Sequence, residues 1–304
     1  MKTLGLLVKR NILTYIRDRA AVFFSLLSMF IVLMLMLVFL GKMNSDQIVS
    51  LLQEYGGKRN LAVDKANAEE LIRQWTIAGI LVVNSVTVPI TMVGIMVNDK
   101  EKNKLQSFYV APVSRGVIAL GYILASMLVS TVICLLTLAI SQGYIVWSGG
   151  TVLEWDMILS MTGVIIVNVF TYSSLMYLVA LFTGSSSAWS GLATVVGTLV
   201  GFVGGIYLPM GFLPANVQNV LKCIPVLHGT ALMRSLSCQE ILKQTFQGLS
   251  GQVSSQYKTY MGISIQIKEQ TLNGQTEIVF LLCVGALLLA VATYVTRLRA
   301  VGDR

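Results

Sequence analysis

Charge is scarce in this sequence: Lys, Arg, Asp and Glu together make up 12% of 304 residues, and His228 is the one histidine. None of the long apolar runs carries an ionisable residue in its central turns. Proton-coupled carriers and pumps work through intramembrane Asp, Glu or His, and intramembrane proteases and metal enzymes need a catalytic dyad or several ligands held together. Those classes are excluded, and His228 is expected to be structural. No metal site is expected. There is also no G-x-x-x-x-G-K-[ST] phosphate loop, so any energy drawn from a nucleotide must arrive from another polypeptide. The four cysteines form no framework: Cys134 and Cys283 fall in apolar runs, where a thiol acts as a small hydrophobe, which leaves Cys223 and Cys238 as the two able to pair. The basic start of the chain lacks a small-residue cleavage site after its first apolar run, so no cleavable signal peptide is expected.

What is abundant is hydrophobicity. With 55% hydrophobic residues and a mean hydropathy of +0.75, the chain is an all-α polytopic membrane protein, and its length is no count of globular domains. Residues 1–19 plot as an amphipathic interfacial helix, with Leu4, Leu7, Val8, Ile12, Tyr15 and Ile16 on one arc and Lys2, Lys9, Arg10 and Arg17 on the other. Six spans follow, at 20–40, 75–97, 117–146, 157–182, 188–208 and 277–295, each long enough to cross a core of ~30 Å. Between the first two spans the segment 42–74 is polar. There Gly56-Gly57 separates two short helices, the second capped near Asp64. Pro89 is expected to kink the second span.

Two internal patterns have more than one reading. Gly197, Gly201 and Gly205 recur every fourth residue on the fifth span, a small-xxx-small stripe that suits helix packing either within the chain or between chains. Asn84, Thr87 and Thr91 on the second span, with Asn168 and Tyr172 on the fourth, are the uncharged polar residues available to line a path.

The segment 98–115, NDKEKNKLQSFYVAPVSR, cannot lie in lipid, because Asp99, Lys100, Glu101 and Lys102 are consecutively ionisable. Leu105, Phe108 and Tyr109 share one face of a short helix that Pro112 ends. The pattern suits a docking element, and equally a connecting loop whose aromatics rest at the headgroups.

Here the sequence resembles the cytoplasmic loop of ABC-2 type permeases, the membrane subunits of a class of ATP-binding-cassette exporters. Asp99 and Glu101 stand at the acidic positions, Leu105 at the leucine, and Ala111, Pro112, Val113, Ser114 and Arg115 at the closing motif; Asn103-Lys104 replaces the usual Gly-Thr. Asn tolerates a left-handed backbone second only to Gly, so the turn is expected to survive. The resemblance implies a coupling helix seated in an ATPase subunit. It implies two ATPase copies, which hold the ATP and magnesium this chain does not, and a second permease copy or homologue packed near the fifth span. It also implies short re-entrant helices on the outer side after that span, where Pro209, Pro214, Pro225 and Arg234 repeat the family's order; the remainder of 209–276 is expected to be a small outer cap. The chain is then a single transmembrane domain over 1–304.

Charge supports a cytoplasmic position for both termini in a plasma membrane. The segments 1–19, 98–115, 183–187 and 296–304 hold 12 of the 22 Lys and Arg in about 50 positions, against 10 in about 110 positions on the other side. An aliphatic, Met-rich and uncharged path suits an amphipathic or apolar cargo: a drug-like compound, an antimicrobial peptide or a lipid. The alternatives are an exporter of polysaccharide or lipid-linked glycan, and a passive channel or scaffold. A lipid-modifying transferase is disfavoured, since Asp99 and Glu101 alternate along the chain and are surrounded by lysines.

Overall fold

The computed structural model describes residues 2–35, 41–57, 59–109, 113–267 and 270–302. They form thirteen α-helices and one two-stranded antiparallel hairpin. α1 (Lys2–Arg17) and α2 (Arg19–Leu35) open the chain, α3 (Gly41–Gly56) follows, and α4 (Leu61–Glu101) is the longest helix. α5 (Lys104–Tyr109) is a single short turn before α6 (Arg115–Trp147), α7 (Trp155–Phe182) and α8 (Ser186–Val203). Four helices shorter than the spans come next: α9 (Ala215–Leu221), α10 (Pro225–Ser237), α11 (Gln239–Thr245) and α12 (Gly251–Tyr260). The hairpin of Gln266–Ile267 and Gln270–Thr271 then leads into α13 (Gly274–Gly302).

Among the described residues α4, α6, α7, α8 and α13 are long and apolar enough to cross a membrane. The expected first span coincides with α2 as far as Leu35, and its last residues, 36–40, lie outside the described ones. An all-α polytopic membrane protein is therefore what the chain forms.

α4 is the axis of the bundle, packed against α2, α3, α6, α7, α8, α10 and α11. It corrects one expectation. The helix capped near Asp64 is not separate from the second span: α4 runs through both as 41 residues, about 60 Å at 1.5 Å per residue. The break comes earlier, at Gly57 with φ +64, and Asn60 supplies the cap, its Oδ1 accepting from the Ala62 amide at 3.0 Å. From Leu61 to Ala78 there is neither Gly nor Pro, so nothing interrupts the helix as it passes from water into the bundle. It also continues through Pro89.

The fifth span is shorter than expected, for a legible reason. α8 ends at Val203, and Gly205 adopts φ +61. The Ile206 amide donates to the Gly201 carbonyl at 2.7 Å and the Gly205 amide to the Phe202 carbonyl at 3.0 Å, the paired bonds of a helix stop built on a left-handed glycine. Gly205 is thus a terminator and not the third member of a helical stripe. Gly201 is taken too, because a Cβ there would meet the Tyr207 ring at 2.2 Å, whereas the same atom on Gly197 meets nothing within 4 Å.

At the end remote from α5, α3, the first turns of α4, α11 and α12 share a separate apolar core around Leu52, Leu71, Trp75 and Phe246. Arg59 locks it, binding Asp64 and donating to the carbonyls of Gln247 at 2.7 Å and Thr245 at 3.0 Å. The described residues of 42–74 and 238–261 therefore form one folded cap.

Candidate coupling site

α1, α4, α5 and α6 meet at a buried cluster centred on Asp99, which is 3% exposed. Arg10 of α1 grips its carboxylate with both terminal nitrogens, Nη2 to Oδ1 at 2.9 Å and Nη1 to Oδ2. The Tyr122 hydroxyl of α6 donates to Oδ2 at 2.7 Å. The Arg10 guanidinium also lies over the Phe108 ring of α5, 5.4 Å from its centroid. Hydrogen bonding to Asp99 raises the Arg10 pKa above its already high usual value despite partial burial, so the guanidinium stays charged. A planar fork on a carboxylate fixes orientation as well as distance, and the N-terminal helix is thereby bolted to the bundle.

The last turn of α4 makes a second set of ties. Lys100 donates to the carbonyls of Thr183 at 3.0 Å and Leu181 at 3.4 Å, at the C-terminus of α7. Glu101 accepts from the Ser186 hydroxyl at the first residue of α8. A cation at one helix C-terminus and an anion at the next helix N-terminus both complement the helix dipoles. Two of the four charges that cannot lie in lipid, Lys100 and Glu101, thus join α4 to the α7–α8 turn.

The loop itself turns at Asn103, whose φ is +57, alone among the described non-glycine residues in being positive, as the substitution for Gly-Thr requires. The face expected to meet a partner is largely used internally. Leu105 is 7% exposed within the main core, and Phe108 is half-buried against it beneath Arg10. The reason is the length of α5: six residues hold the helix so close to the bundle that its apolar side is drawn inward. Lys104, Gln106 and Ser107 form its exposed side. Tyr109 ends the helix, but its side chain lies outside the described atoms, as does Pro112. Val113 packs half-buried on the core, Ser114 caps α6 by accepting from the Val117 amide at 3.4 Å, and Arg115 is the first residue of α6.

The polar residues of the spans are mostly sealed among helices. Asn84 donates to the Thr137 hydroxyl at 2.9 Å, and Thr87 and Thr91 donate to carbonyls of their own helix. Asn168 and Tyr172 are buried, and among the described residues the Asn168 amide and the Tyr172 hydroxyl have no hydrogen-bond partner. Spacing on one helix does not reveal which neighbour covers a residue, so the sequence alone could not place them.

At the far end the prolines start helical turns. Pro209 precedes the short turn Met210–Phe212, Pro214 precedes α9, and Pro225 is the first residue of α10, where its missing amide costs nothing. Arg234 is fully buried with its guanidinium 3.9 Å from the Trp75 ring centroid. It donates to the carbonyls of Gly205 at 2.8 Å and Met261 at 3.2 Å. His228 is fixed by Nε2 on the Lys222 carbonyl at 2.8 Å and by the Phe280 ring. Cys223 and Cys238 are both free thiols, one exposed and one buried, so the pairing open to them is not made.

Comparison with known proteins agrees with the loop. No curated protein matches the chain. The family described as ABC-2 type transporter matches residues 2–237, from α1 through α10 and across the whole Asp99 cluster. The chain belongs to the ABC-2 type transporters and is a membrane-embedded permease subunit of an ABC transporter.

Proposed function

We propose that this permease is the membrane half of an ATP-driven exporter, with the α5 end on the cytoplasmic side and a separate ATPase subunit seated against it. The observation that carries the reading is the double fastening at that end. Arg10, Asp99 and Tyr122 tie α1, α4 and α6, and Lys100 and Glu101 tie α4 to α7 and α8. A push on α5 therefore reaches five helices at once. Asp99, Glu101, Leu105 and Phe108 act here by holding the docking surface in place, and Lys104, Gln106 and Ser107 present it. The ATP and magnesium belong to the partner. Val195, Leu199 and Phe202 form an exposed apolar stripe on α8 beside the open Gly197, which suits packing against a second permease copy. The cargo is an amphipathic or apolar molecule, and export is the direction.

Phe108→Ala would disturb the Arg10 stack as well as any docking, so the exposed side is the better probe. Gln106→Trp with Ser107→Trp is expected to abolish co-purification of the ATPase and cargo-stimulated ATP hydrolysis while the permease still inserts and folds. Retention of both activities removes α5 from the docking surface. Stimulation by glycolipids alone, in a panel of amphiphiles, peptides and glycolipids, overturns the cargo assignment.

A further inference from the structure

The family match stops at residue 237, and the segment after it encloses a cleft of about 680 Å³ between α11, α12 and the hairpin. That volume falls within the roughly 300–1,000 Å³ of small-molecule sites. Leu242, Phe246 and Ile263 form the buried part of the lining, while Leu236 and Leu249 are half-buried and leave apolar surface open. α12 presents a different chemistry. Gly251, Ser254, Ser255 and Lys258 all border the cleft, and they recur at i, i+3, i+4 and i+7, one face of that helix. Asp and Glu are absent from the described lining. Of its two lysines, Lys243 is paired with Glu240 at 3.2 Å, whereas the half-buried Lys258 has no carboxylate partner among the described residues. The Ser254 and Ser255 hydroxyls likewise make no hydrogen bond among the described residues. Lys268 and Glu269 of the hairpin turn, outside the described residues, carry opposite charges and cancel in the formal balance.

We propose that this cleft binds an amphipathic anion, a carboxylate or phosphate on an aliphatic tail, with the tail against Leu236 and Leu249 and the anion facing Lys258, Ser254 and Ser255. The two halves of the lining set the two halves of the ligand. An ammonium and two hydroxyls supply donors to an oxyanion, and a bond with both partners charged is the stronger kind. A bare anion would leave the apolar lining wet, and a wholly apolar molecule would desolvate the ammonium without replacing its bonds. A cation finds no acid there. Thr271 also borders the cleft and stands three residues before α13 begins at Gly274, about 10 Å of extended chain. The cleft therefore lies near the level where the bundle leaves lipid, within reach of a bilayer lipid headgroup as well as of a free amphiphile.

The test uses the full chain in nanodiscs of zwitterionic lipid without any ATPase, so its failure is distinct from failure of the coupling reading. Radiolabelled octyl phosphate and decanoate serve as probes below their micelle concentrations, with empty nanodiscs as background. Saturable binding is expected, at least about tenfold tighter than that of decylamine or inorganic phosphate. Lys258→Met, which keeps the aliphatic stem and removes the charge, should weaken binding about tenfold, the loss of one charge-assisted bond. Lys65→Met, at an exposed lysine on α4 away from the cleft, should leave it unchanged. Ser254→Trp should fill the cleft and abolish binding, with the thermal midpoint of each variant checked against wild type. Competition by phosphatidylglycerol added to the nanodiscs assigns the site to a bilayer lipid, and lack of competition assigns it to a free amphiphile. Absence of saturable binding by both probes overturns the proposal. So does equal binding of decylamine or inorganic phosphate, or binding indifferent to Lys258→Met and Ser254→Trp.

Discussion

Asp99→Asn is expected to loosen α1 from the bundle by about 2 kcal/mol, from the following balance. Asp99 receives two bonds from Arg10 and one from Tyr122, and a hydrogen bond to a charged group is worth roughly 1.5 to 3 kcal/mol. Breaking a fully buried ion pair costs about 3 to 5 kcal/mol because a charge is stranded. Arg10 is not stranded to that extent: its side chain is 31% exposed and can turn to water, and pairs at the surface are worth only about 0 to 1 kcal/mol. The intermediate value, about 2 kcal/mol, corresponds to roughly a 30-fold rise in the population with α1 undocked. Leu7 reports on that population, since it packs against Gly121 of α6. With the exposed Cys223 and Cys283 changed to Ser, Leu7→Cys gives a thiol whose maleimide labelling rate follows the opening of α1. The rate should rise about 30-fold with Asp99→Asn and only about fivefold with Tyr122→Phe, which removes one neutral donor and leaves the ion pair. An unchanged rate in Asp99→Asn would refute the reasoning, because α1 would then be held by its apolar contacts alone.

Arg234→Lys should lower the stability of the purified permease by about 2 to 3 kcal/mol, since an ammonium cannot reach the Gly205 and Met261 carbonyls together while stacking on Trp75; a thermal midpoint equal to wild type counts against it. Gly201→Ala should destabilise by about 1 to 3 kcal/mol through its clash with Tyr207, whereas Gly197→Ala should be neutral or stabilising by up to about 1 kcal/mol from helix propensity, so equal melting shifts contradict the assignment. His228 predicts acid sensitivity. Burial lowers its folded pKa below the usual 6.5, so the unfolded chain binds its proton more readily; stability is full above that value and falls as pH drops through the window beneath it. The difference in melting midpoint between about pH 7.5 and about pH 5.5 should shrink in His228→Gln, and an undiminished difference assigns the effect elsewhere.

The fold class, the spans and the position of the loop were legible because they rest on local signals: long uncharged runs, a charged break and Pro or Gly at the ends. The continuity of α4 was legible in principle, since Leu61 to Ala78 lacks any breaker, but the change from polar to apolar residues near Trp75 suggested a boundary that the backbone ignores. Gly205 shows the opposite failure. Its spacing from Gly197 and Gly201 suits a packing stripe, and the same glycine is also the commonest helix stop, so periodicity alone did not separate the two roles. The inward use of Asp99, Leu105 and Phe108 was not legible at all. It depends on Arg10 and Tyr122, 89 and 23 residues away along the chain, and one sequence carries no signal that pairs them.

Two arginines, Arg10 half-buried and Arg234 fully buried, fasten α4 near its two ends. Arg10 meets a carboxylate on the last turns of α4, so its charge is neutralised. Arg234 meets the Trp75 face near the start of the apolar part of α4, and among the described residues its hydrogen bonds go to carbonyl oxygens. Between Trp75 and Asn98 the helix has no ionisable residue, so each fastening is electrically separate from the other. Both fastenings are stiff: the fork of Arg10 on Asp99 fixes orientation as well as distance, and Arg234 is held by the Gly205 and Met261 carbonyls while stacked on Trp75. A displacement imposed at the α5 end is therefore expected to reach the cap through one uninterrupted helix.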